Sequence, residues 1–403
     1  MSVQEKFLRY VTIDTQSDPT TGKHPSTEKQ FDLARLLLKE LKELGLEDAR
    51  MDEHAYVYAS LPANQENLPA IGFIAHVDTE PVCSGKDVKA EIRDYQGGEI
   101  VLKNGKVISP EEFPFLNNYK GQKIIVSGGD TLLGADDKAG VAEIMQAVEH
   151  LIKHPEIKHG KIGVAFTPDE EIGEGASLFD VKSFGCDYAY TVDGGDIGEF
   201  GYETFNAAEA VVTLTGKNIH PGDAKGKMVN CAVIAGEFLS MLPEEERPET
   251  TEDRQGFYHV HEVNADVETG KVSLIIRDHD MEKFQAKKAF VENACILLQK
   301  KYGEKAVRLN LRDQYYNCYE KIKEHFHLVE NAEKAYKQAG LPFSAVPVRG
   351  GTDGCTLSFM GLPCPNLFTG GHNFHSVLEF IPIPAMEKAV EVILNLVALY
   401  AEA

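Results

Sequence analysis

The sequence predicts an α/β protein: a discontinuous, mostly parallel sheet flanked by helices, interrupted by an inserted α+β unit. Three observations carry that reading. Up to about Tyr202 short apolar runs alternate with helical patterns, the order of a parallel sheet covered on both faces. From about Phe205 the order becomes strand, helix, strands, helix, strand, which is that of a small two-layer split βαβ, ferredoxin-like unit. Beyond it the first pattern returns, and five apolar runs of the outer segments each lead to a residue fit to bind a divalent cation. A chain of 403 residues also exceeds the size at which one core keeps growing, so two domains are expected, with segments 1–205 and 315–403 forming the outer domain and 206–314 the insertion.

The elements follow in order. Pro25-Ser26 opens a helix carrying Phe31, Ala34, Leu37, Leu38, Leu41 and Leu44, and Gly45 closes it. A second helix runs from about Lys138, with Val141, Ile144, Met145, Val148 and Leu151 on one stripe, and stops before Pro155. Within the insertion, AAEAVVTLTG, KVSLIIRDHD and VRLNLRD read as strands, and VNCAVIAGEFLSML and EKFQAKKAFVENACILLQKKYG as helices. The stretch PEEERPETTEDRQG from Pro243 reads as an acidic exposed loop. HLVENAEKAYKQAG is a further helix, PNLFTG a returning strand, and a last helix begins near Pro384.

Composition narrows the class. Hydrophobic residues make up 43% and charged residues 26%, the mixture of a soluble globular protein. The formal charge of −22 repels nucleic acid and anionic membrane surfaces, so neither is an expected partner. MSVQEKFLRYVTIDT lacks the apolar core of a signal peptide or a membrane span, which points to the cytoplasm. Seven cysteines without a C-x-x-C pair suit neither a disulfide framework nor a thiolate zinc site.

The strand-end residues are the chemical signal. AIGFIA leads to His76, KIIVSGGDTLLGA to Asp136, KIGVAFTPD to Glu170 and Glu171, YAYTV to Asp193, and PNLFTGGHNF to His375. Ligands of open α/β sheets bind beyond the carboxyl ends of strands, where residues distant in sequence converge. In an extended segment residues two apart point the same way, so Asp78 can fix the tautomer of His76. Asp136 lies in a glycine-containing turn before a helix, where its carboxylate either bridges two cations or caps the helix. Asp169, Glu170 and Glu171 form either a solvated acidic turn or a group that needs a cation to offset its repulsion. Adjacent carboxylates can divide the labour, one as ligand and the other as general base. Asp193, His372 and His375 each also fit an ordinary turn or loop. Taken together, two histidines and three carboxylates form the nitrogen and oxygen set that suits a pair of zinc-like ions.

These residues lie in motifs: His76-Val77-Asp78-Thr79, Gly134-Ala135-Asp136-Asp137-Lys138-Ala139-Gly140, Thr167-Pro168-Asp169-Glu170-Glu171-Ile172-Gly173, Thr191-Val192-Asp193-Gly194-Gly195 and Gly371-His372-Asn373-Phe374-His375-Ser376. In this order they resemble the co-catalytic dizinc M20 metallopeptidases, over essentially the whole chain and most closely the members that act as tripeptide aminopeptidases. The resemblance implies a zinc-peptidase catalytic domain with an inserted lid, a cis peptide between Asp136 and Asp137, and two zinc ions, with cobalt or manganese as alternatives. It implies that His76 and Asp193 hold one ion, Glu171 and His375 the other, and that Asp136 bridges them. Glu170 becomes the general base and Asp78 the partner of His76.

His220 in Asn218-Ile219-His220-Pro221-Gly222 is the candidate oxyanion donor, alternatively a turn histidine. Measuring a short free peptide requires an acid for its ammonium and a guanidinium for its carboxylate. Asp353 is the candidate acid, and Asn230, Arg277 and Arg349 resemble family positions that grip polar groups of the substrate. Short free peptides, chiefly tripeptides, are the expected partners, and lids of this kind also support a homodimer. Among other classes, Gly129 to Gly134 has P-loop spacing but is followed by Ala135 and Asp136 rather than Lys and Ser/Thr; H-E-x-x-H and G-x-S-x-G are absent. Another M20 amide hydrolase, or an inactive relative kept as a binding protein, completes the alternatives.

Overall fold

The computed structural model describes residues 1–402; Ala403, the last residue of the expected third segment, lies outside them. The chain divides into two compact units, one of Met1–Tyr202, Cys318–Val346 and Thr352 onward, the other of Glu203–Asn317 with Pro347–Gly351. The short segment Pro347–Gly351, placed by the sequence reading in the outer domain, groups with the inserted unit.

The first unit is built on an eight-stranded mixed sheet. Its centre is four neighbouring parallel strands in the spatial order Ile162–Thr167, Ile71–His76, Tyr188–Gly194 and Asn366–Phe368. The first two are buried at every residue, as strands covered on both faces must be. Antiparallel partners, Val57–Leu61 and Glu199–Gly201, extend the sheet on either side. Ile162–Thr167 and Ile71–His76 are legible as unbroken apolar runs because no position in them faces water.

The helix Ala135–Lys153 packs against this sheet, and its regular part begins at Lys138, since Asp136 and Asp137 have non-helical backbone angles. Its fit depends on Gly140. A Cβ there would lie 1.8 Å from the Val192 carbonyl oxygen, so only glycine lets the helix approach the strand that carries Asp193.

Two expectations are corrected. The strand Gln122–Val126, read as a fifth member of the central sheet, belongs to a separate three-stranded antiparallel sheet between Glu91–Tyr95 and Phe380–Pro382. Asp136 therefore enters from the start of a helix and not from a strand end of the main sheet. The early helix runs Gln30–Glu43 and does not start at Ser26. Ser26 instead donates its N–H and its hydroxyl to the buried Asp169 carboxylate. Gly45, at φ 93°, does end that helix.

The second unit is a four-stranded antiparallel sheet in the order Phe257–Ala265, Thr269–Asp278, Asn206–Thr215, Val307–Tyr315, with the helices Cys231–Met241 and Met281–Tyr302 packed on it. That is the split βαβ arrangement, with its own apolar core around Val212, Phe238, Leu274 and Phe284. No helix among the described residues is long and apolar enough to cross a membrane.

Two glycine substitutions test this packing by urea or thermal denaturation. Gly140→Ala is expected to destabilise the first unit by about 3 kcal/mol through overpacking against Val192. Gly236→Ala, in an exposed helix interior with nothing within 4 Å of the new Cβ, is expected to stabilise the second by about 1 kcal/mol.

Candidate metal centre and active site

At the carboxyl ends of the four parallel strands, two imidazoles and three carboxylates face one another. His76 Nε2 lies 2.9 Å from Asp136 Oδ1 and 3.5 Å from Asp193 Oδ1. His375 Nε2 lies 3.1 Å from Asp136 Oδ2 and 3.0 Å from Glu171 Oε2. Asp136 thus turns one oxygen toward each histidine, and its peptide bond to Asp137 is cis.

These separations test whether metal fits. A tetrahedral ion with bonds of about 2.0–2.1 Å sets its ligand atoms roughly 3.3 Å apart, and the donor pairs span 2.9–3.5 Å. Glu171 Oε1 is buried without a hydrogen-bond partner, which an ion would supply. The donor set fits a pair of divalent cations.

Asp78, fully buried, organises the group. Its Oδ1 lies 3.3 Å from His76 Nδ1 and accepts the Glu170 N–H at 3.0 Å, while Oδ2 accepts the Glu171 N–H at 3.3 Å. Asp169 plays no direct part. Its carboxylate bonds instead to Ser26, Gln30 Nε2 at 2.6 Å and His24 Nδ1 at 3.2 Å, which pins the loop.

Electrostatics follow from burial. Desolvation, with repulsion from Asp136, pushes Glu171 up to about 8, and desolvation pushes Asp193 up to about 6 against the pull of His76. Glu170 is raised well above the carboxylate range by burial and then by Asp193. Asp136 is held low despite burial by hydrogen bonds from His375 and His76. Hydrogen bonds to Asp136 and Glu171 raise His375 to about 11.

Asp353 sits at the same end of the unit, buried, with Oδ2 accepting the Thr167 hydroxyl at 2.8 Å. Burial raises it to about 7, and its charge acts on Glu170. A Cβ at Gly175 would fall 2.2 Å from its Oδ1, so that glycine makes room for the acid.

Further residues shape the site, two of them, Glu379 and Asn366, outside the motifs. Glu379, buried, accepts the N–H groups of Leu133, Gly134 and Asp136 at 2.7, 2.8 and 3.1 Å and so shapes the turn that presents Asp136. Asn366 Oδ1 accepts from Thr191 Oγ1 and the Asp193 N–H, tying two strands at the ligand. Asp137 accepts the His76 and Gly140 N–H groups. With His76 and Asp193 it also forms a possible ligand trio, but both its oxygens already serve backbone N–H groups, and we assign it to holding the backbone. His372 is not at the centre: it is buried, stacked between Phe115 and Phe380, and bonded to Tyr119 and Asp196.

Four predicted residues lie in the second unit and are described within it. His220 is exposed, its Nδ1 accepting the Gly222 N–H. Asn230 caps the helix Cys231–Met241 through Oδ1. Arg277 is 9% exposed, donates to the Ala208 and Ile276 carbonyls and lies over the Tyr315 ring. Arg349 donates to the Asp253 and Gln255 carbonyls and to Thr251 Oγ1, between the Phe205 and Phe257 rings.

The family model for peptidase family M20/M25/M40 matches residues 132–399. The chain belongs to that family. It is 54% identical to peptidase T of Clostridium novyi (strain NT) over 100% of both chains, and 55% identical to peptidase T of Caldanaerobacter subterraneus subsp. tengcongensis over 99% of both. The crystal structure of aminopeptidase PepT from Bacillus cereus ATCC 10987 shares the fold, with a TM-score of 0.77 at 24% identity over 99% of this chain and 98% of that one. As an M20 member the protein is a hydrolase, a metal-dependent peptidase whose substrates are peptides.

Adding zinc to metal-free protein at neutral pH is expected to release protons, because Glu171 at about 8 and both imidazoles hold them there. Affinity should then rise with pH as these groups ionise. Calorimetry in buffers of different ionisation enthalpy measures both effects, and a pH-independent affinity would contradict the assignment.

Proposed function

We propose that this protein is a two-zinc aminopeptidase of the cytoplasm that releases the N-terminal residue from short free peptides, chiefly tripeptides. The observation that carries the reading is the Asp136 carboxylate shared between His76 and His375, with Asp193 and Glu171 completing the two halves. His76 and Asp193 would hold one cation, His375 and Glu171 the other, and Asp136 both. When bound, such a pair polarises a carbonyl and lowers the pKa of water, so that hydroxide is available at neutral pH.

The chain's own groups do the rest. Glu170, half-buried and unwilling to stay ionised, takes the proton of the attacking water and returns it to the departing amine as the C–N bond breaks. Its place is set through its backbone N–H on Asp78, which leaves the carboxylate free to move a proton. The Asp78 main-chain carbonyl, 3.1 Å from His76 Nδ1, and the Asp78 Oδ1 at 3.3 Å hold that nitrogen, keeping Nε2 for the ion.

Asp353 makes the enzyme an aminopeptidase in this reading. A buried acid whose ionisation burial opposes is stabilised by an incoming ammonium, and the free N-terminus of a peptide supplies one. In this reading, as the family resemblance implies, His220 is the oxyanion donor and Asn230, Arg277 and Arg349 grip polar groups of the substrate, Arg349 also holding the Thr251–Gln255 loop.

Three measurements test this. In a panel of di-, tri- and tetrapeptides, N-acetylated tripeptides and acyl amino acids, the zinc-loaded protein is expected to prefer free tripeptides and to leave the blocked ones intact. Equal cleavage of the blocked peptide would sink the aminopeptidase reading in favour of another amide hydrolase. Glu170→Ala should cost roughly 10²–10⁴-fold in kcat while two zinc ions stay bound by elemental analysis; lost zinc would make Glu170 a ligand. Asp353→Asn should raise KM for free tripeptides on the order of 30-fold, with both ions retained.

A further inference from the structure

His375 is the least supported of the five proposed ligands. Its side chain is 48% exposed against 1% for His76. Its backbone has φ 59°, the left-handed region that non-glycine residues seldom adopt. An imidazole there has little packing to fix its ring, yet a metal ligand must present one nitrogen in one direction.

The loop that follows His76-Val77-Asp78-Thr79 supplies the missing constraint. Glu80 Oε2 lies 3.5 Å from His375 Nδ1, the ring nitrogen turned away from Asp136 and Glu171. The other Glu80 oxygen accepts the Val82 N–H at 3.2 Å, which fixes the carboxylate, and its side chain is only 14% exposed. Cys83 donates its thiol to the His375 carbonyl at 3.5 Å. The loop itself is anchored by Gln16 Nε2, which reaches the carbonyls of Glu80, Pro81 and Cys83 at 3.3, 2.9 and 2.9 Å. One short loop therefore grips His375 at ring and backbone.

We propose that Glu80 is the positioning residue of His375, accepting the Nδ1 proton so that the lone pair of Nε2 faces Glu171 and Asp136. This rests on the two-metal reading above, in which His375 is a ligand. The imidazole logic is general: a carboxylate on one nitrogen selects the tautomer, orients the ring and raises the basicity of the other. Glu80, Glu171 and His375 also bring three donor atoms within 4.8 Å of one another. Glu80 nevertheless addresses Nδ1 while Glu171 addresses Nε2, and the two ring nitrogens point in diverging directions. That division assigns Glu80 to orientation and Glu171 to ligation.

Zinc titration of the metal-free full-length protein against a chromophoric chelator tests the assignment. The unsubstituted protein should show two sites and His375→Ala one. Glu80→Ala should weaken one site by about 10–100-fold, leave the other unchanged and still bind two zinc ions at saturation. Glu80→Gln should recover most of the lost affinity, because its amide oxygen still accepts a proton from Nδ1. Nitrogen NMR of the His375 ring in the zinc-loaded protein should show Nδ1 protonated and Nε2 metal-bound in the unsubstituted protein, and a mixture of Nε2-bound and Nδ1-bound rings in Glu80→Ala. Unchanged affinities in Glu80→Ala would overturn the proposal, as would a zinc lost at every concentration, which would make Glu80 a ligand. Two sites persisting in His375→Ala would instead overturn the two-metal reading on which it stands.

Discussion

The site depends on one buried carboxylate. Asp78 receives two backbone N–H groups from Glu170 and Glu171 and lies against the imidazole of His76, so a single side chain ties the end of one strand to the loop after its neighbour. A carboxylate with no exposed surface costs several kcal/mol unless such donors meet it, and charge-assisted bonds of this kind are about twice as strong as neutral ones. The parallel pairing of His76 with Thr167 places the two segments side by side, and Asp78 then sets where the next residues point. Asp169 holds the same loop through Ser26, Gln30 and His24. Two acids that never touch the reacting atoms thereby hold the pair that does.

The cluster also shows why such a centre calls for cations. Asp136, Glu170, Glu171, Asp193 and Asp353 crowd into a space where burial disfavours their charged forms, and the two imidazoles, with the Thr167 hydroxyl on Asp353, offset them. A protein that sought stability alone would replace these groups with apolar ones. Keeping them is a cost borne for chemistry.

Much of this was legible in the chain, and the failures have physical reasons. The buried parallel strands announced themselves as unbroken apolar runs, and each ends on a residue that can have only a few uses there. The helix Ala135–Lys153 was readable from its stripe, down to its regular start at Lys138. The run Gln122–Val126 misled because five apolar residues look alike in a parallel and an antiparallel sheet; its partners lie 27 or more residues before it and over 250 after it. Ser26 was read as a helix start, but the need of a buried Asp169 outweighed local capping. Glu379 and Asn366 act through long-range bonds to backbone and leave no periodic trace. A lone acid inside the apolar run SVLEFIPI was the one available hint. Arg277 and Arg349 show the converse: residue type alone could not reveal how much of each guanidinium is engaged within its own unit.

The discontinuity of the first unit has a consequence for how the protein comes into being. The strand Asn366–Phe368 pairs with Tyr188–Gly194, and His375 follows it. A ribosome therefore finishes the whole intervening unit before the last imidazole exists. The cost of closing so long a loop grows only slowly with its length, so the interruption is cheap at equilibrium. In time it is not, because pairing across such a distance comes late in folding. The nascent chain thus carries four of the five donors from Asp193 until His375 is added, without a complete centre, and the capacity to cleave arrives only when the last segment has emerged and docked.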